Sequence, residues 1–386
     1  MMIKRNRKPL SWVALGALVV LLSVSACTTH RPKISRLVKQ MGTAMVADPE
    51  LPGLSVAILK EGETDPLCMA FGTAAVENNV PMTTDSVIKI GSVTKVFTAT
   101  LTHKLIEEGK LSYDTTIDSF FPDFPEGNKI TIRHLLDHTS GIMDMLHLEA
   151  VYSNMAKCWK PEELIAMVAA QPLNFQPGTD QKYCNTGYLM LAMICEKVTG
   201  KSYDAQIQDM FCGDLEMNLV ICGSDSAIVP NISSGYTSDE QSKLSLPMMA
   251  SIAIAHGTGN LESRPKDVVR LVNLGDVLEN NVFDTLKPEP MVLENGKVAE
   301  YVANNGGWTN KQGYLDGCTF FEFSDPKITV LGKLGSFPGF GTVYFYDQQS
   351  KYAVVLSVNN ERKISDAMLM GAKLLYALRN GGSSSH

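Results

Sequence analysis

The 386-residue sequence has no Cys-x-x-Cys pair, no long basic run, no internal repeat and no long low-complexity tract. Each absence closes a class of function. Without paired cysteine ligands, and with histidines that never adopt the His-Glu-x-x-His spacing, a zinc site has nothing to build on. His134 and His138 stand one helical turn apart, but Leu135, not a glutamate, follows His134. A formal charge of −7 without a basic cluster argues against nucleic acid as a partner. The expectation is a protein that needs neither metal nor cofactor, with its oligomeric state left open.

The first residues read as a targeting segment. Lys4, Arg5, Arg7 and Lys8 precede an apolar run from Leu10 to Val24 that is short for a membrane span. The run ends Leu22-Ser23-Val24-Ser25-Ala26-Cys27, which resembles a bacterial lipobox. That resemblance implies a signal peptide over residues 1–26 and a lipid on Cys27, which would tether the chain to a membrane without a spanning helix. The alternative is an ordinary secretory signal cleaved after Ala26, with Cys27 incidental. Either reading places the mature chain outside the cytoplasm, and the lipid-anchored one places it in the bacterial cell envelope, facing the periplasm or exterior. Seven further cysteines remain: Cys68, Cys158, Cys184, Cys195, Cys212, Cys222 and Cys318. An odd number leaves at least one unpaired, and Cys212 with Cys222 is the nearest plausible disulfide.

What the sequence does contain is a serine and a lysine one turn apart at the start of a helix, in Gly91-Ser92-Val93-Thr94-Lys95-Val96. A serine hydroxyl is a weak nucleophile until a base takes its proton, and a desolvated lysine can be that base. Four Ser-x-x-Lys matches occur, where roughly one or two are expected by chance. Pro265 and Pro326 interrupt Ser263/Lys266 and Ser324/Lys327. Ser86/Lys89 lies in an alternating, β-branched stretch, where residues three apart point to opposite faces. Only Ser92 precedes a helical pattern, carried by Val96, Leu101, Leu105 and Ile106 and stopped at Glu108-Gly109.

The remaining pattern predicts an α+β fold. A helix over Ile34–Val46 is followed by strands at Gly53–Lys60 and Pro66–Ala75 across the Glu61-Gly62 turn. Helical patterns dominate from Ile130 to about Met217, with loops at His138–Gly141 and Gln176–Asp180. Strands return at Ile328–Leu334, Thr342–Tyr346 and Tyr352–Val358, and a helix runs from Ile364 to Leu378. Strands at both ends predict one antiparallel sheet built from both chain ends with flanking helices, plus a mostly helical insertion. The expected domain spans residues 27–380, with sheet regions near 33–110 and 250–380 and a helical region near 111–249. Residues 381–386 read as a disordered tail. This layout places a site in the cleft between sheet and helices.

With Ile90-Gly91-Ser92-Val93-Thr94-Lys95 as a first motif, the chain resembles the serine β-lactamase-related family of class C β-lactamases, low-molecular-weight DD-peptidases and related esterases. The resemblance covers nearly the whole mature chain. The family's second motif, Tyr-x-Asn, has two copies here, Tyr152-Ser153-Asn154 and Tyr183-Cys184-Asn185. The second follows Phe175-Gln176-Pro177-Gly178-Thr179 and precedes Thr186-Gly187-Tyr188-Leu189, phrasing much like the family's, so Tyr183 is chosen. A buried phenol beside two lysines has its anion favoured and can shuttle protons; Asn185 would hold Lys95 or a substrate amide. The third motif, Lys-Thr-Gly or His-x-Gly on an edge strand, matches Lys333-Leu334-Gly335-Ser336. Lys333 would supply positive charge and Gly335 would let a substrate backbone approach. By resemblance, the backbone N–H groups of Ser92 and Ser336 form the oxyanion hole. Leu334 departs from the family by replacing a hydroxyl that binds the substrate carboxylate, with Asn359, Asn360 or Arg362 as candidates to compensate. The stretches Ile132–Ile142 and Gly257–Asp267 match the family as scaffold. The implied activity is hydrolysis of an amide or ester (a D-Ala peptide, a β-lactam or a small ester) through an acyl-enzyme. The alternative is a penicillin-binding-like protein that keeps the fold without turnover.

Overall fold

The computed structural model describes residues 31–299, 303–304, 308–310 and 313–381. The signal segment, Cys27 and the tail beyond Gly381 lie outside the described residues. No described helix is long and apolar enough to cross a membrane.

Ten strands among the described residues form one sheet whose pairings are antiparallel. Helix α1 (31–45) leads into β1 (Gly53–Lys60) and β2 (Leu67–Ala75). Helices α2 (Thr94–Glu107) and α3 (Asn185–Thr199) belong to the helical layer. The chain then returns through β3 (Cys318–Ser324), β4 (Lys327–Phe337), β5 (Phe340–Asp347), β6 (Tyr352–Val358) and α4 (Ile364–Arg379). Through its middle the sheet runs β2-β1-β6-β5-β4-β3, so the first long strand lies beside the last.

Period-two alternation decides which layer each side chain joins. In β6, Val354, Leu356 and Val358 face an outer core shared with Ile34 and Val38 of α1 and with Leu374 and Leu375 of α4. Ala353 and Val355 face an inner core with α2 and α3. Both faces are therefore covered, which explains the nearly continuous apolar runs of β1 and β6.

Helix α2 is buried more deeply than its sparse apolar pattern of Val96, Leu101, Leu105 and Ile106 suggests. Every residue from Thr94 to His103 is buried, so no face meets solvent. Its threonines are satisfied inside the core: Thr100 Oγ1 donates to the Val96 carbonyl at 2.8 Å and Thr102 Oγ1 to Thr98 at 2.9 Å. Thr98 Oγ1 reaches the Gly257 carbonyl at 2.6 Å. A helix this polar by sequence is central because its hydroxyls find partners on their own turns.

The stretch between residues 250 and 300 is mostly short helical turns, and Leu261–Ser263 forms a small sheet with Ile88–Lys89 and Val220–Cys222. The seven cysteines of the described residues are all free, which corrects the Cys212–Cys222 pairing. Burial keeps most of these thiols protonated, and that of Cys318 is pushed up to about 12.

Candidate active site

Ser92 sits in a single 3₁₀ turn, Gly91–Val93, that continues directly into α2. Gly91 has φ +53, and a Cβ there would lie 2.6–2.7 Å from the backbone of Ser336. A Cβ on Gly335 would collide with the carbonyl oxygen of Ile90 and lie 2.9 Å from Val93 N. Two glycines thus let β4 and the serine turn touch backbone to backbone.

The edge-strand expectation holds for only part of β4. Residues Lys327–Gly332 pair with β3 on one side, whereas Leu331–Phe337 pair with β5 on the other. Beyond Gly332 the β3 side of the strand is unpaired, and the segment Lys333–Phe337 meets the serine turn. One strand is internal at its start and an edge at its end. Ser336 is exposed and Lys333 is buried, 2% exposed.

Lys95 is fully buried, and its Nζ lies 3.3 Å from Ser92 Oγ. It donates to Asn185 Oδ1 at 2.8 Å and to the Thr258 carbonyl at 2.8 Å. Tyr183 OH donates to Ser92 Oγ at 2.9 Å, so the serine oxygen stands between an amine and a phenol. The Tyr183 ring is flanked by both lysines, with Nζ of Lys95 5.0 Å and Nζ of Lys333 4.5 Å from its centroid. His138 and Tyr314 pack against the same ring at 4.6 and 4.9 Å. Tyr183 itself is half-buried rather than buried.

Burial governs the protonation of these groups. It holds Lys95 well below the ordinary lysine value, and the neighbouring Lys333 adds to the effect. Burial pushes Lys333 down to about 7. His138 is held well below its usual value by burial, then by Lys333 and Lys95. Three cationic groups in one dry space cannot all carry a proton, which leaves Lys95 able to act as a free amine.

The other sequence candidates lie elsewhere. Tyr152 is 62% exposed and Asn154 Nδ2 bonds back to the Ala150 carbonyl, so that Tyr-x-Asn copy is a surface turn. Ser86 Oγ accepts from Thr83 N, capping a turn. Ser324 and Lys327 face each other across a hairpin, and Ser263 Oγ donates to the Leu219 carbonyl. Asn359 and Asn360 are buried and spend their amides on backbone carbonyls of Thr73 and Glu50, while Arg362 is exposed. Neither asparagine compensates for Leu334, whose side chain packs against the outer core.

Sequence reasoning missed three contributors. Thr258 lies in a run read as scaffold and acts through its carbonyl, which no side-chain pattern reveals. His138 also lies in a run read as scaffold; its Nδ1 accepts from Cys184 N at 3.0 Å, beside the tyrosine. Asp144 accepts from both N and Nδ2 of Asn185, at 2.9 and 2.8 Å. Among the described residues no His, Cys, Asp and Glu cluster could hold a metal.

Comparison with known proteins bears on this constellation. A family model described as Beta-lactamase matches residues 35–378. Penicillin-binding protein 4* of Bacillus subtilis (strain 168) is 26% identical over 310 residues, covering 76% of this chain and 65% of that protein. The chain thus spans just under two thirds of that relative's length. The teichoic acid D-alanine hydrolase of Staphylococcus aureus is 25% identical over 307 residues, covering 79% of this chain and 70% of that protein. Among solved structures, the D-amino acid amidase from Ochrobactrum anthropi SV3 complexed with L-phenylalanine superposes with a TM-score of 0.75. It is 23% identical, covering 91% of this chain and 99% of the amidase, and shows the shared fold.

Proposed function

The chain belongs to the beta-lactamase family, and from that premise we propose that it is a serine hydrolase that opens amides or esters through an acyl-enzyme on Ser92. The observation that carries this reading is the position of Ser92 Oγ, 2.9 Å from the Tyr183 hydroxyl and 3.3 Å from Lys95 Nζ. Lys95 takes the serine proton as Oγ attacks the carbonyl carbon, and Tyr183 passes a proton to the leaving group. The backbone N–H groups of Ser92 and Ser336 receive the developing oxyanion, a role supported by the close approach that Gly91 and Gly335 allow. Water then releases the acyl group. Lys333 supplies charge beside the phenol, and Asn185 anchors Lys95.

Leu334 narrows the substrate. Its side chain contributes to the outer core and gives the cleft no hydroxyl donor. We therefore place small esters and amides that do not need a carboxylate clamp ahead of β-lactams and peptidoglycan termini. D-alanyl esters or amides fit this class, in keeping with its likeness to the teichoic acid D-alanine hydrolase and the D-amino acid amidase. Envelope location, with a lipid on Cys27, belongs to the same proposal and rests on the sequence of the first 27 residues.

The test is covalent labelling by a fluorescent fluorophosphonate and a fluorescent penicillin, comparing wild type with Ser92→Ala and Ser86→Ala. Labelling should survive Ser86→Ala and vanish in Ser92→Ala. Fluorophosphonate labelling without penicillin labelling supports the ester or amide reading. Failure of both probes, with no ester turned over, would refute the hydrolase.

A further inference from the structure

Lys95 Nζ has three neighbours, and Asp144 decides what one of them can be. A carboxylate only accepts hydrogen bonds. Asp144 Oδ2 takes the backbone N and the side-chain Nδ2 of Asn185, at 2.9 and 2.8 Å, and its Oδ1 takes Leu146 N at 2.9 Å. The residue is 5% exposed, and Thr186 Oγ1 accepts Met145 N at 2.8 Å, which pins the same turn. An asparagine amide has two faces that are nearly equal in shape, and its orientation is set by its partners. Here the partner is an anion, so the NH₂ must face Asp144 and the oxygen must face Lys95.

The consequence falls on the amine. A free lysine amine has two N–H groups and one lone pair. Asn185 Oδ1 and the Thr258 carbonyl are both obligate acceptors at 2.8 Å and occupy the two N–H groups. The lone pair is left for Ser92 Oγ, 3.3 Å away. When the serine O–H breaks and its proton bonds to Nζ, the new ammonium has three N–H groups and three waiting acceptors. Were the Asn185 amide turned over, its NH₂ would compete with the serine proton for that lone pair.

We propose that Asp144 is a positioning residue for catalysis: by locking the Asn185 amide it aims the Lys95 lone pair at Ser92. The proposal deepens the hydrolase reading above and rests on it for its kinetic consequence. Other groups also face Lys95. They are Lys333 from β4, Tyr183 and Cys184 before α3, Tyr188 within α3 at 5.7 Å, and His138 from the loop ahead of Asp144. Asp144 is the carboxylate among them that favours the ammonium, and Lys333 opposes it.

The experiment compares wild type with Asp144→Asn in two readouts. In the variant a single amide oxygen must serve the three donors that the carboxylate takes, so Leu146 N or the two Asn185 groups lose their acceptor and the Asn185 amide is no longer locked by an anion. NMR of protein labelled with ¹³C at lysine Cε should show the Lys95 titration midpoint falling by about one unit, because a nearby anion and an acceptor are both lost. In steady-state kinetics, kcat should fall about 100-fold with KM little changed, and the acidic limb of kcat/KM should move to lower pH. The double variant Asp144→Asn/Asn185→Asp restores an acceptor facing Lys95 and should bring the midpoint back above the wild-type value. It also serves if the single variant folds poorly. A midpoint that stays put in Asp144→Asn overturns the proposal, whether or not kcat falls. A midpoint that moves in the variant, beside a wild type that turns over no ester or amide, upholds the lock on the Asn185 amide and refutes the hydrolase reading instead.

Discussion

Replacing Gly335 with alanine should separate the chemistry of this protein from its fold. The added Cβ would collide with the Ile90 carbonyl and sit 2.9 Å from Val93 N, and both obstacles are backbone, which cannot rotate away. Either β4 or the Gly91–Val93 turn must retreat by about 1 Å, and a shift of that size can cost about 100-fold in rate. Loss of one oxyanion donor, the role proposed for Ser336 N–H, is worth about 10²–10³ in kcat. Overpacking of this kind costs about 1–3 kcal/mol of stability, a drop of about 10 °C or less in Tm for a domain of this size. Gly91→Ala attacks the same contact from the other side, meeting Ser336 backbone at 2.6–2.7 Å and adding the strain of φ +53. Because both variants spoil one contact, their double variant should lose much less than the product of the two single losses. The assay is the rate of fluorophosphonate labelling, with Tm from scanning calorimetry on the same samples. Gly335→Ala protein that labels at the wild-type rate would show that β4 and the serine turn do not form one functional unit.

Three further predictions follow from the buried charges and thiols. Lys333 titrates near 7 when folded and near 10.4 when unfolded, so the unfolded chain holds the extra proton between those values. The cost of burying it is full below pH 7 and fades as pH rises toward 10, so Lys333→Met should melt higher than wild type at pH 7, with the gap closing toward pH 10. An equal gap at both ends would refute this sign. Burial, and then the charge of Asp316, push the Asp137 carboxyl up to about 8, whereas Asp316 binds His103 at 3.0 Å and Arg133 at 3.1 Å. Asp137→Asn should therefore shift stability at pH 7 by less than about 1 kcal/mol, and Asp316→Asn should cost about 3 kcal/mol or more in urea unfolding. Native protein should react with a thiol reagent fastest at Cys158, the one exposed thiol among the described residues, with Cys212 and Cys222 reacting as separate thiols once unfolded. A Cys212–Cys222 bridge in non-reducing mass spectrometry would contradict this.

Much of the fold could be read from periodicity because the sheet is regular where it is long. The strand Tyr352–Val358 falls where alternation and β-branching place it, and α4 ends one residue beyond the expected Leu378. The features that periodicity does not reveal concern residues whose role depends on a distant neighbour. The sequence marks α2 as a helix but not its depth, since its threonines become buried by bonding their own turns. The family resemblance implies an edge strand for β4, and alternation carries no sign of where β3 stops pairing, so the internal first half is not legible. At the site, Ser92, Lys95, Tyr183, Asn185 and Lys333 converge because their side chains form recognisable motifs. Thr258 works through a main-chain oxygen and Asp144 through the amide of another residue. Neither leaves a spacing to read, since backbone carbonyls carry no residue signature and a carboxylate in a loop is usually solvated.

The pairing of β1 with β6 sets the order in which this molecule can come into being. Leu54 lies opposite Val358 and Lys60 opposite Tyr352, so the centre of the sheet joins segments separated by almost the whole described chain. Closing so long a loop is entropically slow, and until it closes β1 has lost its central neighbour and both cores lack a wall. A chain emerging from a ribosome or a secretion channel therefore cannot complete its sheet until the residues of β6 are out. That delay holds Ser92 away from Lys333 until the last strands arrive, so the cleft between the serine turn and β4 is the last part of the molecule to form.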